Sequence, residues 1–268
     1  MVHKRWWLGA VALGAVATMV SACVGAEQTR GEPGSRASNT AASSPVKPLG
    51  LDELSRGIDL GIVVRDLQTG EDLSLRNQDQ VFDSASLVKV LIALDSLANR
   101  RDPAESVVAM LANSDDGEAT RMWDEGGGPL IVTTWASRIG LANTSPPEDP
   151  VEWGETRTTA SDLALVYRHL LHDADGPVVL EGLDGMTDFG LDGFDQRFGI
   201  PVAAGDRHWE VKQGWACCHG HRTLHSTGLV GPDNRYVVIV LTGQPVETPV
   251  PAATARVTDI VTALLKGL

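Results

Sequence analysis

Ser86 and Lys89 lie three residues apart at the start of an apolar segment that is typical of a buried helix. On a helix this spacing places both side chains on one face. Backbone N–H groups and the helix dipole at the amino end favour negative charge developing on such a hydroxyl. A lysine amine that is partly removed from water can lose its proton and act as base. The pattern predicts a nucleophilic serine.

The spacing is weak evidence by itself. It recurs at Ser44 and Lys47, where the intervening Pro45 excludes a helix. The alternative for Ser86 and Lys89 is an ordinary capped helix whose lysine extends to solvent. A catalytic interpretation therefore needs support from other segments of the chain.

A second lysine, Lys212, lies in a predicted strand with the sequence Val-Lys-Gln-Gly-Trp. The two-residue period of a strand places Lys212 and Gly214 on one face. A glycine there lets a substrate backbone approach closely, and the lysine supplies positive charge for a carboxylate or a proton relay. The pattern favours a binding strand.

Ser114, Asp115 and Asp116 form a third polar group, at a predicted junction between two helices. The structural alternative is strong here, because Ser114 or Asp115 is a good helix N-cap. Asp115 and Glu118 also have the spacing of a capping box. Function and capping both remain open for this segment.

The elements that must position these residues follow from hydrophobic periodicity and turn signals. We expect strands at 59–66 and 71–76, helices starting near 86, 101, 118, 130 and 159, strands at 208–218, 223–230 and 235–242, and a closing helix at 254–265. Residues 143–157 read as a polar loop and residues 178–201 as irregular. The order predicts an α+β fold, with an antiparallel sheet of about five strands built from both chain ends and an inserted helical subdomain.

The order Ser-x-x-Lys, Ser-Asp-x and Lys-x-Gly, with sheet at both ends, resembles the class A serine β-lactamases and the penicillin-binding transpeptidases. The resemblance covers most of residues 59–265. It implies that Ser86 is the acylated nucleophile and Lys89 its base or proton relay. Ser114 would pass a proton to the leaving nitrogen.

The resemblance also implies roles for the late strand. Lys212 would support the Ser114 relay and the substrate carboxylate, and Gly214 and Gln213 would lie in the substrate-binding segment. The backbone N–H groups of Ser86 and Trp215 would form an oxyanion hole. The implied substrate is a β-lactam or a related peptidoglycan peptide, and no cofactor or metal is expected.

Two positions depart from the family pattern. Asp116 stands where the family usually has Asn, at a position that contacts substrate, and an acid beside Lys89 would tend to keep that amine protonated. Gln213 replaces a Thr or Ser whose hydroxyl commonly holds the substrate carboxylate. These changes favour a second hypothesis, a penicillin-binding or regulatory lipoprotein of the same fold with little or no turnover.

The residue that would release the acyl group is a further departure. The 143–157 loop offers Glu148, Glu152 and Glu155 but no Glu-x-x-x-Asn pattern, and Glu152 and Glu155 are the better placed. Without a positioned base, a β-lactam would acylate Ser86 and stay there.

The segment from Cys217 to His221 contains cysteine and histidine, but its spacing argues against a metal site. Adjacent cysteines on a strand point to opposite faces, and zinc ligands are normally spaced further apart. We expect one buried and one exposed thiol, with a vicinal disulfide as the alternative. Arg222 and His225, on the neighbouring strand, could bind a substrate carboxylate, but we expect them in a solvated hairpin.

The amino-terminal segment has the features of an export signal. A basic start, an apolar run at 6–20 and the sequence Val-Ser-Ala-Cys resemble a bacterial lipoprotein signal ending before Cys23. We expect a signal peptide at 1–22, a lipidated Cys23 with a flexible tether to residue 50, and one domain at 51–268. The alternative is an ordinary signal peptide in which Cys23 is incidental.

The net charge of −13 and the absence of a basic patch argue against nucleic acid as a partner. The expected location is extracytoplasmic, with membrane contact through the lipid anchor only. The oligomeric state is left open.

Overall fold

The computed structural model of the protein describes residues 50–218 and 220–268. The predicted signal peptide, the predicted lipidation site Cys23 and the predicted tether up to residue 49 lie outside these residues. In the described part of the chain, no helix has the length and apolar character needed to cross a membrane.

The strands are β1 Asp59–Asp66, β2 Asp72–Arg76, β3 Phe82–Asp83, β4 Arg157–Thr158, β5 Trp209–Ala216, β6 Arg222–Val230 and β7 Tyr236–Gln244. The helices are α1 Leu51–Leu54, α2 Lys89–Ala98, α3 Ala104–Ala112, α4 Asp116–Glu125, α5 Pro129–Ile139, α6 Ala160–Leu170, α7 Gly176–Asp184, α8 Ile200–Ala203 and α9 Val250–Leu265. Short 3₁₀ turns span Ala85–Val88, Trp153–Glu155 and Pro232–Asn234.

Five strands form one antiparallel sheet in the order β2-β1-β7-β6-β5. In the register of this sheet, Val63 of β1 lies opposite Leu75 of β2 and Ile239 of β7. Since β1 and β2 precede the helices in the chain and β5 to β7 follow them, both ends of the domain build the sheet. The predicted α+β fold is confirmed, and β5 lies at the sheet edge.

Alternate residues of the central strands enter two separate cores, as the two-residue period requires. Ile62 and Val64 of β1 pack in a core with α9, whereas Val63 packs in a core with α2 and α6. Helix α2 is buried on nearly all sides, which fits its almost continuous apolar sequence from residue 90 to residue 94. This helix is thus a fixed support for the serine that precedes it.

The small sheet of β3 and β4 ties the chain before Ser86 to the end of the 143–157 loop. Phe82 lies opposite Thr158, and Asp83 lies opposite Arg157. The Arg157 guanidinium also donates to the Asp83 carboxylate at 2.6 Å. The loop and the serine turn are therefore held side by side.

Two predictions about element boundaries are wrong. Residues 178–201 are not irregular throughout, because they contain most of α7 and the start of α8. Pro177 occupies the first turn of α7, where its missing N–H costs nothing, and Val179 and Leu183 are fully buried one turn apart. Helix α9 begins at Val250, four residues before the predicted start, with Pro251 in its first turn.

Candidate active site

Ser86 lies in the 3₁₀ turn that leads into α2, and 5% of its surface is exposed. Ala85, the residue before it, has a φ of 47°, which is a left-handed conformation that a side chain makes unfavourable. A hydrogen bond from Ser84 N–H to Thr156 O, at 2.7 Å, fixes the start of this turn. Such strain at a partly open serine is typical of functional sites.

The Lys89 amine is fully buried behind Ser86. Its Nζ lies 3.0 Å from Ser86 Oγ, 2.8 Å from Ser114 O, 3.1 Å from Ser114 Oγ and 2.5 Å from Asp116 Oδ1. Burial lowers the pKa of Lys89, while the Asp116 carboxylate opposes that shift. The structure thus brings Lys89 within reach of the serine proton, and Asp116 acts against its loss of charge.

Ser114 lies between the two lysines that the sequence singled out. Its Oγ is 3.1 Å from Lys89 Nζ and 2.9 Å from Lys212 Nζ, although Lys212 is 98 residues further along the chain. The neighbouring Asp115 caps α4 by accepting the N–H of Glu118. In this segment Asp115 is the helix cap and Ser114 is the residue that lies in the candidate site.

Lys212 extends from β5 and is also almost fully buried. Its second hydrogen bond goes to Gln213 O, at 3.2 Å. Burial and the nearby Lys89 charge hold the pKa of Lys212 well below its ordinary value. Two buried amines therefore share one hydroxyl, and a proton at this cluster has short routes between Ser86, Lys89 and Ser114.

Gly214 lets β5 pack directly against the serine turn. A Cβ on Gly214 would lie 3.1 Å from Ser84 O and 3.2 Å from Leu87 Cγ, which is closer than side chains ordinarily allow. Because β5 is the edge strand, the Trp215 backbone lies on the border of the sheet next to Ser86. These positions are compatible with an oxyanion hole formed by the N–H groups of Ser86 and Trp215.

The Gln213 side chain corrects an expectation. It is fully buried and donates to Gln196 O at 3.0 Å and to Phe198 O at 2.6 Å. The strand period that turns Lys212 toward Ser114 turns Gln213 to the opposite face. The Gln213 side chain is therefore not available to a substrate.

The 143–157 loop places an aromatic ring against Lys89. The Lys89 Nζ lies 4.9 Å from the centroid of the Trp153 ring, whose Nε1 donates to Thr120 Oγ1 at 3.1 Å. Glu152 lines the pocket in front of Ser86, and Glu155 lines an adjoining pocket with Cys217. In the described part of the chain, the hydrogen-bond partners of Lys89 are Ser86, Ser114 and Asp116, and neither glutamate is among them.

A pocket of about 490 Å³ opens on Ser86. It is lined by backbone or side-chain atoms of Ala85, Ser86, Asp116, Thr120, Val151, Glu152, Trp153, Gly154, Asp192, Trp215 and Ala216. The Trp215 ring stacks on Phe194 at 4.9 Å and donates its Nε1–H to Asp192 at 2.8 Å. Strand β5, the 143–157 loop and the 190–194 segment thus form the walls.

The cysteine and histidine expectations need two corrections. Strand β5 ends at Ala216, so Cys217 and Cys218 follow it, are both exposed and form a vicinal disulfide. Within the described residues, no cluster of three or more His, Cys, Asp or Glu side chains could hold a metal ion. His225 is fully buried and not solvated, with Nε2 at 2.8 Å from Asp83 O and Nδ1 accepting the Thr242 N–H.

Trp153 and Asp192 were not predicted from the sequence as site residues, and neither was the burial of His225. Trp153 stands next to Glu152, but a lone aromatic residue in a polar loop carries no signal of its own. Asp192 lies in a glycine-rich segment without periodicity. The one signal that could have indicated burial of His225 is that residues 223–230 contain no charged residue, as is typical of a strand buried on both faces.

Comparison with known proteins supports the fold and the family. A family model described as "Beta-lactamase enzyme family" matches residues 50–102, which include Ser86 and Lys89. An ancestral class A β-lactamase superposes with a TM-score of 0.66 at 20% identity, covering 81% of this chain and 98% of that structure. A mutant of PBP-A, described as an acyl-enzyme complex with penicillin G, superposes with a TM-score of 0.63 at 20% identity, covering 84% of this chain and 100% of that one.

Higher sequence identity is found with mycobacterial proteins. The proteins named "Putative lipoprotein LppW" from Mycobacterium tuberculosis and Mycobacterium bovis are 38% identical to this chain over 217 residues. The match covers 75% of this chain and 67% of each relative. The chain therefore belongs to the β-lactamase-like family that includes LppW.

Proposed function

We propose that the protein is an extracytoplasmic serine acyl-enzyme hydrolase that opens a β-lactam or a related peptidoglycan amide through an ester on Ser86. The observation that carries this proposal is the hydrogen-bonded chain from Ser86 Oγ through Lys89 Nζ and Ser114 Oγ to Lys212 Nζ, with distances of 3.0, 3.1 and 2.9 Å. A nucleophile within reach of a base and a proton relay is the arrangement that acyl transfer needs.

Acylation would proceed by one proton circuit. Neutral Lys89 accepts the Ser86 hydroxyl proton as Oγ bonds to the carbonyl carbon, and the N–H groups of Ser86 and Trp215 stabilise the oxyanion. The C–N bond then breaks. Ser114 gives its proton to the leaving nitrogen and receives one from Lys89, so that Lys89 is neutral again and the acyl group stays on Ser86.

The second candidate is a penicillin-binding or regulatory lipoprotein of the same fold with little or no turnover. The placement of the Trp153 ring beside Lys89 favours it, because an aromatic ring cannot take a proton from water. Glu152 lines the Ser86 pocket and Glu155 lines the adjoining one, and both are candidates for the missing base. In this case the ester on Ser86 would form and persist.

Intact mass measurement separates these functions. Full-length protein in detergent is treated with benzylpenicillin, and a gain of one penicillin mass that is absent in Ser86→Ala supports the acyl-enzyme. Ser44→Ala is the matched control, since Ser44 has the same Ser-x-x-Lys spacing. A lasting adduct without hydrolysis of a chromogenic cephalosporin supports the second candidate. The absence of both an adduct and hydrolysis with any β-lactam or acyl ester, or an adduct that persists in Ser86→Ala, would overturn the proposal.

Membrane attachment through a lipid on Cys23 is part of the same proposal and is supported by the lipoprotein name of the mycobacterial relatives. Cys23→Ser is expected to move the protein from the membrane fraction to the soluble fraction of the expressing cells. If the mature parent protein carries no lipid mass on Cys23, the lipid anchor is not at this residue.

A further inference from the structure

The charge of the Ser86 pocket bears on which substrates it accepts. Of the described residues that line it, the ionisable ones are Asp116, Glu152 and Asp192, and all three are acids. Asp116 has 61% of its side chain exposed, and Glu152 and Asp192 are exposed as well. The ionisable side chains that a substrate meets in this pocket are therefore three carboxylates.

The positive charges of the site lie beneath this surface. Lys89 and Lys212 are 0% and 1% exposed, and their amines are engaged with Ser86 and Ser114. The Lys89 amine is in addition paired with Asp116 at 2.5 Å. Neither lysine presents an open hydrogen-bonding face for a substrate anion.

The side chain next to Lys212, Gln213, does not provide a contact for a substrate anion either. The Gln213 side chain lies on the far side of β5 with both its amide N–H bonds given to backbone carbonyls, Gln196 O and Phe198 O. Asp192 instead lines the pocket, where it accepts the indole N–H of Trp215 at 2.8 Å. That bond fixes the carboxylate without neutralising its charge.

The pocket lining also contains one aliphatic and two aromatic residues. These are Val151, which is 66% exposed, and Trp153 and Trp215. An apolar ring has surface to pack against there, and an ammonium group beside these rings gains from both the carboxylates and the aromatic faces.

From these contacts we infer that the Ser86 site selects acyl donors whose acyl side chain carries a cationic group and disfavours donors whose acyl side chain carries an anionic group. The proposal rests on the acyl-enzyme function and adds a substrate class to it. In this proposal, Glu152 and Asp192 determine substrate specificity, and both line the pocket that opens on Ser86.

Three penicillins provide a matched probe set, because they share one nucleus and one phenyl ring. Ampicillin carries an ammonium on the carbon next to the side-chain carbonyl, benzylpenicillin carries hydrogen and carbenicillin carries a carboxylate. Acylation rate constants are measured by intact mass at about pH 6.5, below the ordinary pKa of an α-amino group. We expect the order ampicillin, benzylpenicillin, carbenicillin, and a ratio of first to last that falls as salt is added.

The variants Glu152→Gln and Asp192→Asn are each expected to lower the ampicillin-to-carbenicillin ratio about two- to fivefold, the range for an exposed charge pair. Asp206→Asn is the matched control: it removes the same charge from an exposed turn before β5, whereas the pocket lies at the Ala216 end of that strand. The control is expected to leave the ratio unchanged. Asp192→Asn also changes the hydrogen bond to Trp215, whereas Glu152→Gln removes a charge and leaves that bond in place.

An equal or faster reaction with carbenicillin, or an equal fall of the ratio in Asp206→Asn, would overturn the inference while leaving the acyl-enzyme intact. A complete lack of both adducts and hydrolysis with all three penicillins would instead count against the proposed function. The two failures are therefore distinguishable in one experiment.

Discussion

The Lys89 ammonium lies 4.9 Å from the centroid of the Trp153 ring. A cation over an indole face gains about 0.5–2 kcal/mol, more when it is removed from water. The ring can stabilise the Lys89 charge, but it has no atom that can take a proton from a hydrolytic water. This contact therefore supplies no base for the removal of an acyl group from Ser86.

Replacing the ring by a carboxylate is expected to release the acyl group faster. In Trp153→Glu we expect the ester on Ser86 to decay at least about tenfold faster, because a positioned general base typically contributes about 10²–10⁴-fold and an unrefined one less. The decay is followed by intact mass after excess penicillin is removed. Trp153→Gln is the control, and an equal acceleration in that variant would point to water entry and not to a base.

The contact between Lys89 and Asp116 predicts a pH effect on acylation. Burial lowers the pKa of Lys89 and Asp116 opposes this, so Asp116→Asn lowers the pKa further. More of the amine is then neutral at any given pH, and the acidic limb of the acylation profile moves to lower pH. The profile is measured by mass spectrometry over a pH series.

Asp115→Asn is the matched control for that series. Asp115 acts on the Lys89 charge without a hydrogen bond to it, and Asn keeps the helix cap. We expect a smaller shift than in Asp116→Asn. A shift of the Asp116→Asn profile to higher pH would show that Lys89 is not the titrating base.

Lys212 is predicted to cost stability and to serve function. Its folded-state pKa lies well below the ordinary value of 10.5, so between these values the unfolded chain binds more protons and stability rises with pH. Lys212→Met removes that penalty and fills a similar volume. We expect a higher melting temperature than the parent near pH 7, and a gain that shrinks as the pH approaches 10.5.

The same variant is expected to slow acylation by about 10²-fold, the lower range for loss of a proton-transfer partner, because Ser114 loses one of its two lysines. Melting is followed by circular dichroism and acylation by intact mass. Lys266→Met, at an exposed lysine that directly follows α9, is the control and is expected to change neither. A lower melting temperature for Lys212→Met near pH 7 would contradict this account.

The elements with regular hydrophobic patterns were predictable from the sequence. The alternation around Lys212 and Gly214 identified β5 and its inward face, and the apolar run after Ser86 identified α2. The same alternation places Gln213 on the opposite face. The expectation that Gln213 contacts substrate was wrong because it followed the Lys-x-Gly motif and not the strand period.

The residues that depend on loop paths were not predictable in this way. Trp153 reaches Lys89 because β4 pairs with β3 and carries the end of the 143–157 loop beside the serine turn. That pairing joins two-residue strands 74 positions apart, for which neither periodicity nor turn chemistry gives a signal. Asp192 reaches Trp215 from a segment that shows no periodicity in the sequence, so this contact was not predictable either.

His225 provides a prediction about acid stability. Burial lowers its pKa from 6.5 to about 4, and its ring joins β6 to the residue Asp83 that enters the serine turn. Because the folded-state pKa is depressed, stability from this group is full above about pH 6.5 and falls as the pH drops toward 4. The interval between these two pKa values corresponds to about 3 kcal/mol of unfolding free energy.

We test this with urea unfolding at pH 7.5 and pH 4.5 in the parent and in His225→Gln, whose amide can both donate and accept at the same site. The variant is expected to lose less stability between the two pH values, because no imidazole has to be protonated on unfolding. His208→Gln, at a half-exposed histidine, is the control and is expected to follow the parent. Equal acid losses in the parent and in His225→Gln would show that other groups, chiefly the carboxylates, account for the acid sensitivity of the fold.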